Sequence, residues 1–305
     1  MLILWTVGVV VGLGIAVWAS SYALEAATDL GAQLGLSPFV IGVTIVAVGT
    51  DLPEIANSII ASSTGHGDLN VGDSIGSVVT QATVVLGVVC LLGGLRAPRG
   101  MVLTTGVLTV FALLLGAALF ADQHFGRVDG AVLIALWVVG TIVIKRPAAS
   151  PEKEMTGHRS VKRDLTLTAV WLAGVGVGAT LAVESFTRIA SSLGAPEFLL
   201  SFFVLSLGTS LPELVVAAQA VRRSESALAL GDVLGSCFVD ATLSPGIGPL
   251  LFPTTLSAGL ARTSVLVAII LAIVTALLIR DIEHRWTTGV PLLLMYLLLY
   301  PALIS

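Results

Sequence analysis

Apolar residues run through this chain in blocks of about 20, the length that crosses a hydrocarbon core as a helix. Short polar stretches separate the blocks. The pattern predicts ten membrane-spanning helices, near 2–22, 39–62, 70–95, 101–120, 129–145, 165–183, 198–221, 227–252, 263–279 and 288–304. The first block begins at the N-terminal MLILWTVGVV, which has neither the basic stretch nor the small-residue cleavage site of a signal peptide. It therefore reads as the first span.

Two interruptions carry more information than the blocks. GTDLPE, Gly49 to Glu54, sets a proline and two carboxylates inside the second block, and GTSLPE, Gly208 to Glu213, repeats the pattern in the seventh. The two halves align at a constant offset of 159 residues, as from Glu54 to Glu213, with no gap over more than 60 positions. Glu25 falls on Glu184, Phe39 on Phe198, Gly72-Asp73 on Gly231-Asp232, Gly76-Ser77 on Gly235-Ser236, and Ala82-Thr83 on Ala241-Thr242. Five spans per half is an odd number, so the second half enters the membrane from the opposite side. Transporters built this way hold substrate near the midplane, on broken helices between the repeats.

The expected fold class is an all-α polytopic membrane protein, with ten transmembrane helices arranged as two inverted five-helix repeats. Residues 1–145 form the first repeat, with its motif region at 39–87, and 165–305 form the second, with its motif region at 198–246. Between them, 146–164 is a short charged linker with no room for a folded domain.

Composition and charge fit this layout. The chain is 56% hydrophobic and 11% charged, with a mean hydropathy of +1.01, far from soluble averages. Threading ten spans places 12 of the 15 Lys and Arg residues in loops 95–100, 145–164, 221–226 and 280–285. Only Arg127, Arg188 and Arg262 fall on the other side. The positive-inside rule makes the basic side cytoplasmic, including the linker, and puts both termini outside. A cell membrane is the expected location, and its bilayer is the partner the composition requires. Cys90 and Cys237 lie within spans, where packing is expected rather than a disulfide. The histidines, His66, His124, His158 and His284, are dispersed in loops and form no zinc pattern. No phosphate loop, nucleophile triad or ATPase motif is present, so no catalytic residue, enzyme activity or cofactor is expected. The basic loops set topology rather than bind nucleic acid, and nothing in the sequence indicates an obligatory protein partner.

The motifs themselves supply cation chemistry. Pro53 has no N–H to give the carbonyl four residues back, so the helix opens at Gly49. Thr50 and Glu54, four apart, place a hydroxyl and a carboxylate on one face beside the opened backbone. GDSIGSVVTQ does the same with Ser77 and Gln81. The second half contributes Thr209, Glu213, Ser236 and Asp240. Carboxylates, hydroxyls, an amide and carbonyls, without thiolate or imidazole, suit a hard cation such as calcium or sodium. Six acids fall in the interior of the predicted spans, namely Asp51, Glu54, Asp73, Glu213, Asp232 and Asp240. Each costs roughly 2.5–3.5 kcal/mol at the bilayer centre. No basic residue is placed mid-span to neutralise them, so bound cations or protons must.

On these residues the chain resembles the cation/calcium antiporter superfamily, best known from its sodium/calcium exchangers. GVTIVAVGTDLPEIANSIIAS with VGDSIGS, and LSLGTSLPELVVAAQAV with LGDVLGS, look like its two alpha repeats. The resemblance implies exchange of calcium for sodium by alternating access, with the first and sixth helices sliding on a rigid core. It implies Glu54 and Glu213 as central carboxylates and Thr50 and Thr209 as hydroxyl and carbonyl ligands. Ser77 and Ser236 correspond to flanking sodium ligands, Ala47 and Ser206 to backbone-carbonyl donors, and Ser210 and Asp240 to further site positions. Three sodium ions for one calcium would make the exchange electrogenic.

Four positions depart from the family pattern. Asp51 stands where a small hydroxyl residue or alanine is usual, Gln81 where Asn or Asp is usual, and Asp73 and Asp232 where Asn is usual. Asp51 is open between a third site charge, a proton carrier and a vestibule residue. Asp73 and Asp232 are expected to hydrogen-bond backbone at helix breaks. Competing functions are a proton-coupled calcium or other cation exchanger, a passive channel, and an intramembrane aspartyl protease using Asp73 and Asp232. The protease reading lacks the GxGD motif and leaves Glu54, Glu213 and both prolines unexplained.

Overall fold

With so few polar side chains available, the backbone must satisfy its own N–H and C=O groups, and helices do this within a single segment. The computed structural model describes residues 2–96, 98–144, 160–192, 206–257, 259–280 and 285–304, and the described chain is almost wholly helical. The first half comprises α1 (Leu2–Gln33), α2 (Pro38–Thr50), α3 (Leu52–Ser63), α4 (Gly67–Leu92), α5 (Arg99–Leu119) and α6 (Arg127–Ile144). The second comprises α7 (Val161–Ser192), α8 (Ser206–Thr209), α9 (Leu211–Arg222), α10 (Ser226–Asp240), α11 (Leu243–Leu251), α12 (Gly259–Arg280) and α13 (Trp286–Ile304).

Among the described residues, seven helical stretches are long and apolar enough to cross a membrane, or eight if the bent pair α2–α3 is one span. A shorter apolar stretch, Trp286–Leu298, lies in α13. The start of the expected seventh span, 198–205, and most of the linker fall outside the described residues.

α1 and α7 overrun the apolar blocks that predicted them. Each is 32 residues long, where hydropathy ends the spans near 22 and 183. Their length follows from mutual packing. A Cβ on Gly12 would come within 2.7 Å of Gly178 O, and one on Gly178 within 2.7 Å of Gly12 O, so only glycine permits this crossing. Gly174 faces Ala19, and Gln33 at the end of α1 donates to Asp164 at the start of α7. Rising numbers on one helix meet falling numbers on the other, so the two run antiparallel. Small residues let backbones approach where lipid offers no hydrophobic drive for helices to associate.

The centre of the molecule is α10, buried from Leu228 to Asp240 without interruption. It packs on α2, where Gly42–Val46 is wound as a π-turn. A Cβ on Gly235 would sit 2.5 Å from Val43 Cα and 2.9 Å from Ala47 Cβ. A second π-turn, Gln81–Val85, loosens α4, and the corresponding stretch of the second half is the break between α10 and α11 at Ala241–Thr242. Such turns collect at functional sites because they re-aim side chains. Two short strands escaped the sequence reading, His124–Phe125 and Thr254–Thr255, which pair antiparallel and clasp two inter-helix turns. Two residues each are too few for any alternation to register. Cys90 and Cys237 are free and buried, as expected of packing residues.

Candidate cation site

The two GTxLPE motifs build the same break. α2 ends at Thr50 and α3 starts at Leu52, with a 46° bend between them. At the joint Asp51 has φ −80° and ψ 8°, and Ser210, between α8 and α9, has φ −85° and ψ 9°. Each new helix carries its proline in the first turn, where a missing N–H costs nothing. Glu54 and Glu213 also fall in those first turns, at the helix end that favours negative charge. A cleft of about 490 Å³ lies between Gly49, Leu52 and Pro53 on one side and Leu172, Gly176 and Thr180 of α7 on the other. The joint itself, at Asp51, is fully buried in protein, a condition under which a membrane tolerates a broken helix.

The breaks bring three acids together. Asp51, Glu54 and Glu213 are buried, with one carboxylate oxygen from each lying within 4.8 Å of the other two. Neither oxygen of Glu54 or Glu213 has a hydrogen-bond partner, and Asp51 Oδ2 has none. Every Lys, Arg and His side chain whose burial is described is exposed, so none of these basic groups neutralises the cluster. Buried, unpartnered carboxylates are costly. Three gathered in one place form a group that could hold a metal ion.

Around them the halves meet position against counterpart. Thr50 Oγ1 lies 3.5 Å from Ser236 Oγ, and the same pair with halves exchanged, Ser77 Oγ and Thr209 Oγ1, is 3.4 Å apart. Gln81 Nε2 donates to Asp240 Oδ2, its own counterpart, at 2.8 Å and more weakly to Asp51 Oδ1 at 3.5 Å. Cys237 Sγ contacts Val78 O, again a counterpart, at 3.8 Å. Gln81 Oε1, Asp240 Oδ1 and Ser210 Oγ are buried without partners.

Most of the expected residues therefore converge. Ala47 is buried, but its carbonyl already accepts from Asp51 N at 3.0 Å and Thr50 Oγ1 at 3.1 Å. Ser206 opens α8, and its side chain lies outside the described residues.

Asp73 and Asp232 do not behave as expected. Neither sits at a helix break, because α4 runs unbroken from Gly67 to its π-turn and α10 from Ser226 to Asp240. Asp73 Oδ2 accepts from Asn57 Nδ2 at 2.6 Å. Asp232 is fully buried with both oxygens unpartnered. Sequence reasoning missed Asn57, although an amide inside an apolar block was a usable signal. It also missed Ser244, whose buried Oγ lies just past the second break.

Comparison with known proteins agrees with this geometry. The family pattern described as sodium/calcium exchanger protein matches residues 4–145 and 164–303. The chain belongs to that family. It is 26% identical over 335 residues to the sodium/calcium exchanger MaX1 of Methanosarcina acetivorans, covering 93% of this chain and 94% of that one. It is 31% identical over 252 residues to the uncharacterized membrane protein MJ0091 of Methanocaldococcus jannaschii, covering 82% and 83%. The sodium-calcium exchanger NCX_Mj, in a structure soaked without Na+ and Ca2+, superposes with a TM-score of 0.82 at 26% identity over 99% of both chains. The chain is an integral membrane protein and a cation/calcium antiporter, not an enzyme.

Proposed function

We propose that this antiporter exchanges calcium for sodium by alternating access at a site centred on Glu54 and Glu213. The observation that carries the reading is the buried cluster of carboxylate oxygens, within 4.8 Å of one another. Calcium binds oxygens at about 2.3–2.6 Å, so ligands on opposite sides of one ion stand about 5 Å apart. Glu54 and Glu213 are the central ligands, with Thr50 and Thr209 beside them. Ser77, Ser236, Asp240, Gln81, Ser210 and Asp51 supply further oxygens for the ions. Ala47 and Ser206 contribute backbone carbonyls, Ala47 on release of the Thr50 hydroxyl.

The reading includes ten spans in two inverted repeats, 1–145 and 165–305, joined by a cytoplasmic linker, with both termini outside in a cell membrane. Supporting it are the constant offset of 159 residues, the reciprocal Thr50–Ser236 and Ser77–Thr209 contacts, and the antiparallel α1 and α7. Counterpart helices of inverted repeats must oppose each other in this way. Their glycine-lined interface also suits a sliding gate. No cofactor takes part, since the ion gradients drive transport.

The four buried acids at the site, Asp51, Glu54, Glu213 and Asp240, favour a second reading, in which protons replace sodium. Calcium flux into proteoliposomes, measured with voltage clamped and sodium and pH gradients imposed separately, distinguishes the two. A sodium gradient is expected to drive calcium and a pH gradient alone is not. Calcium movement driven by pH and indifferent to sodium would overturn the sodium reading.

A further inference from the structure

We infer that Asp51 is a third carboxylate ligand of the same central cation and sets the preference for divalent over monovalent ions. The inference rests on the cation site proposed above and adds what the repeat symmetry leaves unexplained. One oxygen from each of Asp51, Glu54 and Glu213 fits within 4.8 Å, so all three reach a single calcium coordination sphere of about 5 Å diameter. Asp51 is fully buried and its two oxygens have different roles. Oδ1 accepts from the Gln81 amide at 3.5 Å, and Oδ2 has no partner.

A neutral oxygen also points to a ligand here. Ser210 Oγ, in the matching joint of the second motif, is buried and unpartnered. Asp51 and Ser210 have the same backbone conformation to within a few degrees. One half thus offers a charge where the other offers a hydroxyl, from equivalent geometry. The attraction between a fixed carboxylate and an ion grows in proportion to the ion's charge. A third carboxylate therefore strengthens binding of every cation, but its effect on the logarithm of affinity doubles from sodium to calcium and triples for a lanthanide.

The test is equilibrium binding to the purified full-length protein, with sodium, calcium and terbium as probes. Asp51→Ser installs the residue the second motif already carries, and Asp51→Asn removes the charge at constant shape. Both variants are expected to weaken sodium about tenfold, calcium about 100-fold and terbium about 1,000-fold, a straight line of log loss against ion charge. The double swap Asp51→Ser with Ser210→Asp is expected to bring calcium affinity back to within about threefold of the parent. Equal losses for all three ions, or no loss, overturn the assignment, because a purely structural role has no dependence on ion charge. Failure of the parent to bind calcium would instead count against the proposed function itself.

Discussion

GTDLPE and GTSLPE bend their helices at the same residue and with nearly the same torsions, yet they differ in what they place at the joint and behind it. The first motif has Asp51, Asn57 and Gln81 with a π-turn. The second has Ser210, Val216 and Asp240 with an outright break. Glu54 and Glu213, in contrast, are alike in burial, in helix position and in having no partner. The backbone and the central charges are symmetric, and the accessory chemistry is not. The symmetric parts are those the proposed inverted repeat would need to bind one ion from either side. The asymmetric parts are where this chain adjusts charge and stability.

The largest effects are expected where symmetry is strictest. On the proposed function, Glu54→Gln and Glu213→Gln each remove a charge from the central site, an expected loss of roughly 3 kcal/mol or more, or about 100-fold. Radiolabelled calcium uptake into proteoliposomes is expected to fall at least that far, and equally, in both variants. Neither oxygen of either residue has a protein partner, so the thermal midpoint in ion-free buffer is not expected to drop. A residual activity ten times higher in one variant than in the other would break the equivalence of the halves. A collapse of the midpoint would move both residues from ion binding to structure.

That prediction concerns residues the sequence exposes plainly, and the reason is energetic. A proline or an acid inside an apolar block is expensive, so Pro53, Glu54, Pro212 and Glu213 stand out from any background of packing. The same logic located Thr50, Ser77, Asp240 and their counterparts, and the structure brings them together. Other features depend on distances between helices and leave no local mark. The overrun of α1 to Gln33 and of α7 back to Val161 goes with the Gln33–Asp164 contact between the two helices, not with hydropathy. Asp73 looked like a backbone ligand at a break because its partner, Asn57, lies on another helix. The consequence of the extra methylene in Gln81 was also hidden, since it depends on the π-turn beginning at that residue. That geometry lets one amide reach both Asp240 and Asp51.

A smaller effect separates Asp73 from Asp232. Asn57 donates to Asp73 at 2.6 Å, and its counterpart in the second half is Val216. Asn57→Val makes the first half resemble the second and leaves a carboxylate oxygen without that donor, at a cost of about 1–3 kcal/mol. The thermal midpoint is expected to fall by several degrees. Val216→Asn makes the reverse change and, by the correspondence of the halves, would offer an amide to unpartnered Asp232. Burying the new amide costs free energy, offset by the hydrogen bond, so this variant is expected to lose less than half as much as Asn57→Val. If Val216→Asn is the more damaging of the two, the halves do not correspond at these positions.

The smallest effect lies on the surface. Glu184 and Arg188 pair at 3.3 Å with both side chains more than half exposed. Their counterparts are Glu25 and Asp29, two acids four residues apart where the second half has an acid and a base. An exposed ion pair contributes between about 0.2 and 1 kcal/mol, and the Arg188 guanidinium, 5.3 Å from the Trp5 ring centre, adds a contact of about 0.5–1 kcal/mol. Arg188→Asp copies the first half and is expected to lower stability by no more than about 2 kcal/mol, the sum of those two contributions. High salt should shrink the ion-pair part of that loss. Calcium uptake is expected to stay within twofold of the parent, because both side chains are mostly exposed and the site carboxylates are buried. A larger loss of uptake at unchanged stability would make the Glu184–Arg188–Trp5 contact itself part of the transport cycle, and the charge difference between the halves would then be functional.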